Sequence, residues 1–268
     1  MTVSIGVTGA TGRMGGEVLA AAADRDDLSV AFAVSRSPGA SVEGVGVADA
    51  ADFADLLASH APDVVVDFTG PASCIEYASA CAAAGVAFVT GTTGLSEGGF
   101  DALREAASEV PVLYASNFSR GIAALRRAVR EAVPALDGYD IELTETHHNA
   151  KRDAPSGTAL TLLDDIDEAR SSVRQTRSDD IDDVRGASPR VHGREGEAPR
   201  TEGEVGVHAR RAGDIAGEHE ILLAGNHESL SLTHRAGSRG VFAAGALDAA
   251  AWLADRDAGW YDFTEVLE

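Results

Sequence analysis

The chain's densest chemistry lies in one segment, Glu145-Thr146-His147-His148-Asn149-Ala150-Lys151-Arg152-Asp153-Ala154-Pro155-Ser156-Gly157-Thr158-Ala159. Two adjacent histidines and a lysine can supply or accept protons and can bind carboxylates. The step from Ser156 through Gly157 and Thr158 into an apolar helix offers free backbone N–H groups and hydroxyls, which together make an anion cradle. A metal centre is not expected, because the histidines are neighbours and no third ligand stands nearby.

Lys151 is the only lysine. The other 21 basic residues are arginine, against 43 acidic residues and a net charge of −21. Arginine holds its proton, whereas a desolvated lysine can be tuned to release one. A lysine that survives in such a chain is therefore a catalytic candidate. The composition reads as adaptation to high salt, where screening tolerates dense like charge; a GC-rich codon bias toward arginine gives the same counts. So acidic a chain speaks against nucleic-acid and anionic-membrane partners. No apolar stretch reaches the roughly 18–20 residues of a bilayer span. The first residues lack the basic start and apolar run of a signal peptide, so a cytoplasmic protein is expected. Cys74 and Cys81 fall about 10 Å apart by helical rise, too far for a disulfide, and read as small core residues.

These groups need elements to position them. The first third alternates short β-branched runs with alanine-rich helical stretches, the pattern of βαβ units on a parallel sheet. Strands are predicted at Val3–Val7, Leu28–Val34, Val64–Phe68, Ala87–Thr90 and Val112–Ala115. Helices are predicted at Gly15–Ala23, Asp52–Ala58, Pro71–Gly85 and Glu97–Ser108, with a glycine-rich connection before Asp52. Beyond Asn117 comes an amphipathic helix at Gly121–Val133, then alternation at Ile141–Glu145 that fits a sheet covered on one face. A helix at Thr158–Ala169 precedes a polar stretch, Arg170 to Glu204, expected to be an exposed loop that includes the acidic run Asp179–Asp183. Strands at Val205–Arg211, His219–Ala224 and Ser229–Arg235 and an alanine-rich helix at Val241–Ala254 complete the chain. The fold class is α/β: a Rossmann-like parallel-sheet domain, 1–118 with 238–268, and a second α+β domain, 119–237, on a mixed, largely antiparallel sheet.

The first strand runs into Gly9-Ala10-Thr11-Gly12-Arg13-Met14-Gly15, and a helix follows. Glycines there let backbone approach a pyrophosphate, and the helix N-terminus favours its charge. The spacing is G-x-x-G-x-x-G, and its place between strand and helix marks it as a dinucleotide loop. At the end of the second strand, Ser35 stands where an NAD-selective site carries an acid, and Arg36 can meet a 2′-phosphate. NADPH is thus expected to be preferred, with NADH as the second cofactor.

The segment E-x-H-H-x-x-K-x-D-A-P-S-G-T-A, the G-A-x-G-R-M-G loop, Asp67-Phe68-Thr69, Gly91-Thr92-Thr93-Gly94 and Ser116-Asn117-Phe118-Ser119 together resemble the 4-hydroxy-tetrahydrodipicolinate reductase family, formerly dihydrodipicolinate reductases. The resemblance spans essentially the whole chain in the same order. It implies NAD(P)H-dependent reduction of a cyclic dicarboxylate in lysine biosynthesis via diaminopimelate. It also implies a cofactor held by Gly9 through Met14, Arg36, Gly91, Thr92, Thr93, Ala115, Ser116, Asn117 and Phe118. His147 and Lys151 would be the acid–base pair, and His148, Lys151, Gly157 and Thr158 would bind substrate. The second domain would carry substrate and subunit contacts, giving a homotetramer.

Other classes fit less well. A short-chain dehydrogenase requires Tyr-x-x-x-Lys, but His147 stands four residues before Lys151; a semialdehyde dehydrogenase requires a cysteine in its second domain. A dinucleotide-sensing DNA-binding regulator would need a basic recognition helix, which is missing from this acidic chain. Moving the protein from molar to millimolar salt should lower its melting temperature and loosen its assembly, as unscreened acids repel. Circular dichroism melts and light scattering at both salts test this, and identical values would argue against salt adaptation.

Overall fold

The computed structural model describes residues 2–39, 41–177 and 187–267, with the side chains of 173–177 left aside. In chain order its elements are β1 (Val3–Thr8), α1 (Arg13–Ala23), β2 (Leu28–Ser35), β3 (Ser41–Val42), β4 (Val45–Asp49), α2 (Phe53–His60), β5 (Val64–Asp67), α3 (Pro71–Ala84), β6 (Ala87–Thr90), α4 (Glu97–Ala107) and β7 (Pro111–Tyr114). There follow α5 (Arg120–Ala135), β8 (Asp140–His147), α6 (Gly157–Arg177), β9 (Arg190–His192), β10 (Val205–Arg211), β11 (Gly217–Gly225), β12 (Glu228–Ala236), α7 (Gly240–Leu253) and β13 (Gly259–Asp262). The chain divides into two units, 1–120 with 239–268, and 121–238. No helix among the described residues is long and apolar enough to cross a membrane.

The first unit is a sheet in the order β13-β7-β6-β5-β1-β2-β4-β3, parallel except where β3 meets β4. All four residues of β5 and of β6 are buried, as expected of parallel strands covered on both faces. The order reverses between β1 and β5, and a crevice at the carboxyl ends of strands beside such a reversal is the usual ligand site. Pro71 begins α3 and Gly85, at φ +70°, ends it. Cys74 and Cys81 are free and buried in the core beneath that helix. Burial pushes the Cys74 thiol up to about 12, so it stays protonated.

The second unit is a sheet in the order β12-β11-β8-β10-β9, with two antiparallel and two parallel pairings. It is mixed, with a larger parallel share than the alternating sequence implied. Ile122, Leu125, Val129 and Val133 from α5 pack with Leu162, Leu163 and Ile166 from α6 on Ile141, Leu143, Val207 and Ile221. Asp165 of α6, buried, takes Arg126 at 2.7 Å and Arg130 at 2.5 Å from α5. Those two arginines clamp helices together and do not serve as free surface charges.

The polar stretch from Arg170 to Glu204 is not one exposed loop. Helix α6 continues to Arg177, β9 adds a parallel edge strand, and Ser188 and Glu204 are buried. Arg170 donates to Ser188 Oγ (3.0 Å) and to the Gly203 carbonyl (2.7 Å), so polar groups there satisfy one another. The run Asp179–Asp183 lies outside the described residues.

A Cβ on Gly245 of α7 would stand 1.8 Å from the Phe118 carbonyl oxygen, so helix and chain touch backbone to backbone. Gly245→Ala should therefore destabilise the protein by about 1–3 kcal/mol. Gly98→Ala, exposed on α4 with open space around the new carbon, should stabilise it by about 0.5–1 kcal/mol. Urea midpoints at one fixed salt concentration compare the two.

Candidate active site

In the first unit the loop after β1 turns at Gly9, whose φ of +66° favours glycine. A Cβ on Gly15 would fall 2.2 Å from the Gly9 carbonyl oxygen, so only glycine lets α1 begin so close to the turn. Gly12 caps α1 without a side-chain hydrogen bond, leaving the first helical N–H groups available to an anion. Ala10 is fully buried, its N–H bonded to the Val34 carbonyl at 3.1 Å. Thr11, Arg13 and Arg36 are exposed and Met14 is half-buried. Thr11 Oγ1 and Ser35 Oγ lie 2.5 Å apart. A cavity of about 290 Å³ is lined by Gly9, Thr11, Gly12, Ser35, Arg36 and Thr69, among others. A glycine turn, an uncapped helix end and an arginine around one cavity suit a dinucleotide phosphate.

Across the strand reversal stands a group to which the sequence reading gave no role. Asp67 closes β5, is wholly buried, and accepts four threonine hydroxyls. Thr8 (2.6 Å) and Thr69 (2.7 Å) donate to Oδ1, and Thr90 (2.9 Å) and Thr92 (2.7 Å) donate to Oδ2. Thr92 Oγ1 also accepts the Thr69 N–H, and Thr90 Oγ1 accepts the Thr92 N–H, both at 3.1 Å. Each of these hydroxyls accepts an N–H through a lone pair and keeps its own proton to give to Asp67. The loop of Gly91, Thr92 and exposed Thr93 is tied down by this knot, and a Cβ on Gly91 would overlap the Phe68 ring at 2.1 Å. Ala115 and Phe118 are buried, with Phe118 against Phe68 and Phe263; Ser116 is exposed, and Asn117 accepts the Ser119 N–H at 2.8 Å.

In the second unit β8 alternates inward at Ile141, Leu143 and Glu145. Glu145 is wholly buried. Its Oε1 accepts the Ser156 N–H (3.1 Å) and Arg211 Nη2 (2.7 Å); its Oε2 accepts Arg211 Nη1 (2.7 Å) and pairs with His147 Nδ1 (2.6 Å). Burial alone would raise this carboxyl, but hydrogen bonds from Arg211 and His147 outweigh it and hold the group below its usual range. His147 is nearly buried. Desolvation pushes its ring below the ordinary histidine range despite Glu145, with Lys151 and Arg211 pushing the same way. His219 packs edge-on to His147 at 5.2 Å between ring centres, and burial pushes it down to about 3, leaving it neutral.

Lys151 is half-buried and pairs with Asp153 at 2.9 Å, in a turn where its N–H meets the His148 carbonyl at 3.1 Å. His148 is half-buried beside it. Ser156 caps α6, its Oγ accepting the Ala159 N–H at 3.2 Å. Gly157 is exposed with open space where a side chain would be, and Thr158 is half-buried on the same first turn. The second unit thus sets His147 against a buried carboxylate, with His148 and Lys151 in the following turn and Gly157 and Thr158 on the first turn of α6, next to Ser156, which binds the same carboxylate. Among the described residues no cluster could hold a metal ion.

Comparison with known proteins agrees with both halves. Residues 3–118 match the family model "Dihydrodipicolinate reductase, N-terminus" and residues 121–267 match "Dihydrodipicolinate reductase, C-terminus". The chain is 54% identical to the 4-hydroxy-tetrahydrodipicolinate reductase of Natronomonas pharaonis, over 99% of this chain and all of the relative. It is 51% identical to that of Haloarcula marismortui, over 98% of each. A dihydrodipicolinate reductase from Paenisporosarcina sp. TG-14, solved with dipicolinate bound, superposes with a TM-score of 0.77 at 22% identity, over 98% of each chain. With both family models in chain order and covering nearly every residue, the chain belongs to the dihydrodipicolinate reductase family.

Proposed function

We propose that this chain reduces 4-hydroxy-tetrahydrodipicolinate, by way of dihydrodipicolinate, to tetrahydrodipicolinate in lysine biosynthesis. The observation that carries this reading is the buried Glu145–Arg211–His147 cluster beside the chain's only lysine and the open first turn of α6. Relatives at 54% and 51% identity that bear this activity support it, as does dipicolinate bound to a member of the same fold.

The division of labour follows the chemistry of each unit. The first would hold the dinucleotide: Gly9 through Met14 at the pyrophosphate, Arg36 at a 2′-phosphate, and Gly91, Thr92, Thr93 and Ala115 through Phe118 toward the nicotinamide half. A bound nicotinamide cofactor supplies the hydride. Ser35 in place of an acid and Arg36 on the cavity wall favour NADPH over NADH, since a carboxylate there would repel the extra phosphate. The second unit would hold the substrate. His148, Lys151 and the N–H groups of Gly157 and Thr158 present positive charge and donors to carboxylates. After water leaves the hydroxylated ring and hydride reaches a ring carbon, the resulting enamine takes a proton, and His147 and Lys151 are the acids at hand. The polar sheet face, with Glu142, Thr144, His208 and Glu220 half-buried, would carry the subunit contacts of a homotetramer, and the enzyme would work in the cytoplasm.

Supplying the product of the preceding synthase and following the loss of NADPH or NADH absorbance tests the reading. Substrate-dependent oxidation, faster with NADPH, is expected, and dinucleotide binding without turnover would point to a sensor instead. Arg36→Ala should raise KM for NADPH while leaving NADH use nearly unchanged, which steady-state kinetics with each cofactor will measure. Lys151→Arg keeps the charge but loses a compact, tunable acid. Its kcat should fall roughly 10²–10⁴-fold while NADPH binding, measured by fluorescence, persists.

A further inference from the structure

We propose that Nε2 of His147 is the nitrogen that exchanges a proton with the substrate, and that Glu145, Arg211 and Gly217 are positioning residues that commit the ring to that nitrogen. The proposal rests on the reading of His147 as an acid–base group and adds the atom that acts and the means by which it is chosen.

Glu145 fixes the ring. Its two oxygens have four lone-pair positions in their plane; three take obligate donors, Ser156 N and both terminal nitrogens of Arg211, and the fourth faces His147 Nδ1. Gripped on both oxygens by a guanidinium and held below its usual range, this carboxyl is ionised and has no proton of its own to offer. The 2.6 Å contact is therefore a hydrogen bond given by His147, and Nδ1 carries a proton in both the neutral and the charged ring. The proton that comes and goes is the one on Nε2. No described residue makes a hydrogen bond to Nε2.

Gly217 leaves room beside that nitrogen. A Cβ at this position of β11 would lie 3.1 Å from Nε2 and 3.4 Å from Cδ2 of His147. The backbone of Gly217 is not left-handed, so turn geometry does not require glycine here; a side chain would instead press on the ring beside Nε2. Arg211 sits at the end of β10, where His147 is its register partner on β8. It binds both Glu145 oxygens and also donates to the Asp153 carbonyl at 2.5 Å. The carboxylate is thus held from β10, the ring from β8, and the ring's open side from β11. The charged and titratable groups facing His147 are Glu145 on its own strand, Arg211 on β10, His219 on β11 and Lys151 in the following turn.

The test uses the full-length protein with histidine ¹⁵N labelling, together with kinetics. In the wild type the neutral His147 ring should give the ¹⁵N pattern of the Nδ1–H tautomer. Glu145→Gln can still accept from Nδ1 through its amide oxygen but lacks the charge that favours the protonated ring. It should keep the tautomer, move the descending limb of the kcat/KM–pH profile to lower pH, and lower kcat about tenfold. Gly217→Ala should keep both tautomer and melting temperature yet lose tenfold or more in kcat/KM, because the methyl crowds Nε2. Finding Nε2–H as the neutral tautomer, or finding a folded Gly217→Ala protein with unchanged kcat/KM and pH profile, would overturn the proposal. His147→Gln separates this from the underlying reading. If that variant keeps near-normal turnover, His147 is not the acid at all; if it is inactive while the tautomer is Nε2–H, only the choice of nitrogen fails.

Discussion

A buried carboxylate must have its lone pairs filled, and this protein is organised around two that are. Asp67 and Glu145 are both fully enclosed, and each receives four hydrogen bonds. Leaving one buried acceptor or donor unmet costs about 1–3 kcal/mol, so each carboxylate holds its donors' elements in place. Asp67 draws together the carboxyl ends of β1, β5 and β6 and the threonines of two loops. Glu145 draws together β8, β10 and the start of α6. The donors differ in kind. Asp67 is met by neutral hydroxyls alone, and Glu145 by a guanidinium, an imidazole and a backbone amide, so one knot is purely architectural in its chemistry and the other can exchange charge.

The lysine-poor composition takes on structural meaning in this light. Arginine's planar fork binds both oxygens of a carboxylate at once, as Arg211 does on Glu145 and Arg126 on Asp165, while Arg200 spans one oxygen each of Glu142 and Asp140. These acids are less free than a net charge of −21 implies, since several are internal partners. Lys151 is the exception, a single-point cation in a turn beside the histidines.

What could be read from the sequence, and what could not, divides along local and distant contacts. Strand β6 at Ala87–Thr90 and strand β10 at Val205–Arg211 coincide with their expected bounds, because an apolar run or alternation is a local signal. The short strands β3, β4, β9 and β13, at or beside the sheet edges, escaped notice, being only two to five residues long. At the candidate site His147 and Lys151 stood out as residue types in one segment. Arg211 did not, since it meets Glu145 from 66 residues away. Nor did Thr8, 59 residues from Asp67. A clue was present nevertheless. Period-two alternation puts Glu145 on the same inward face as Ile141 and Leu143, and an acid on a core face requires partners. Asp67, closing the apolar run Val64-Val65-Val66, carries the same message.

The first unit is discontinuous in the chain, and its last helix touches it without intervening side chains. Gly245 of α7 meets the Phe118 carbonyl directly, and Asp248 of the same helix binds Arg25 at 2.6 Å. A ribosome delivers residues from the amino end, so the whole span 121–238 of the second unit emerges before α7 does. The unit whose sequence begins first is therefore the one whose element set is completed last. Until residue 253 has left the exit tunnel, the surface where α7 belongs has no native cover, and the nascent chain is most exposed to aggregation or capture by chaperones in that interval.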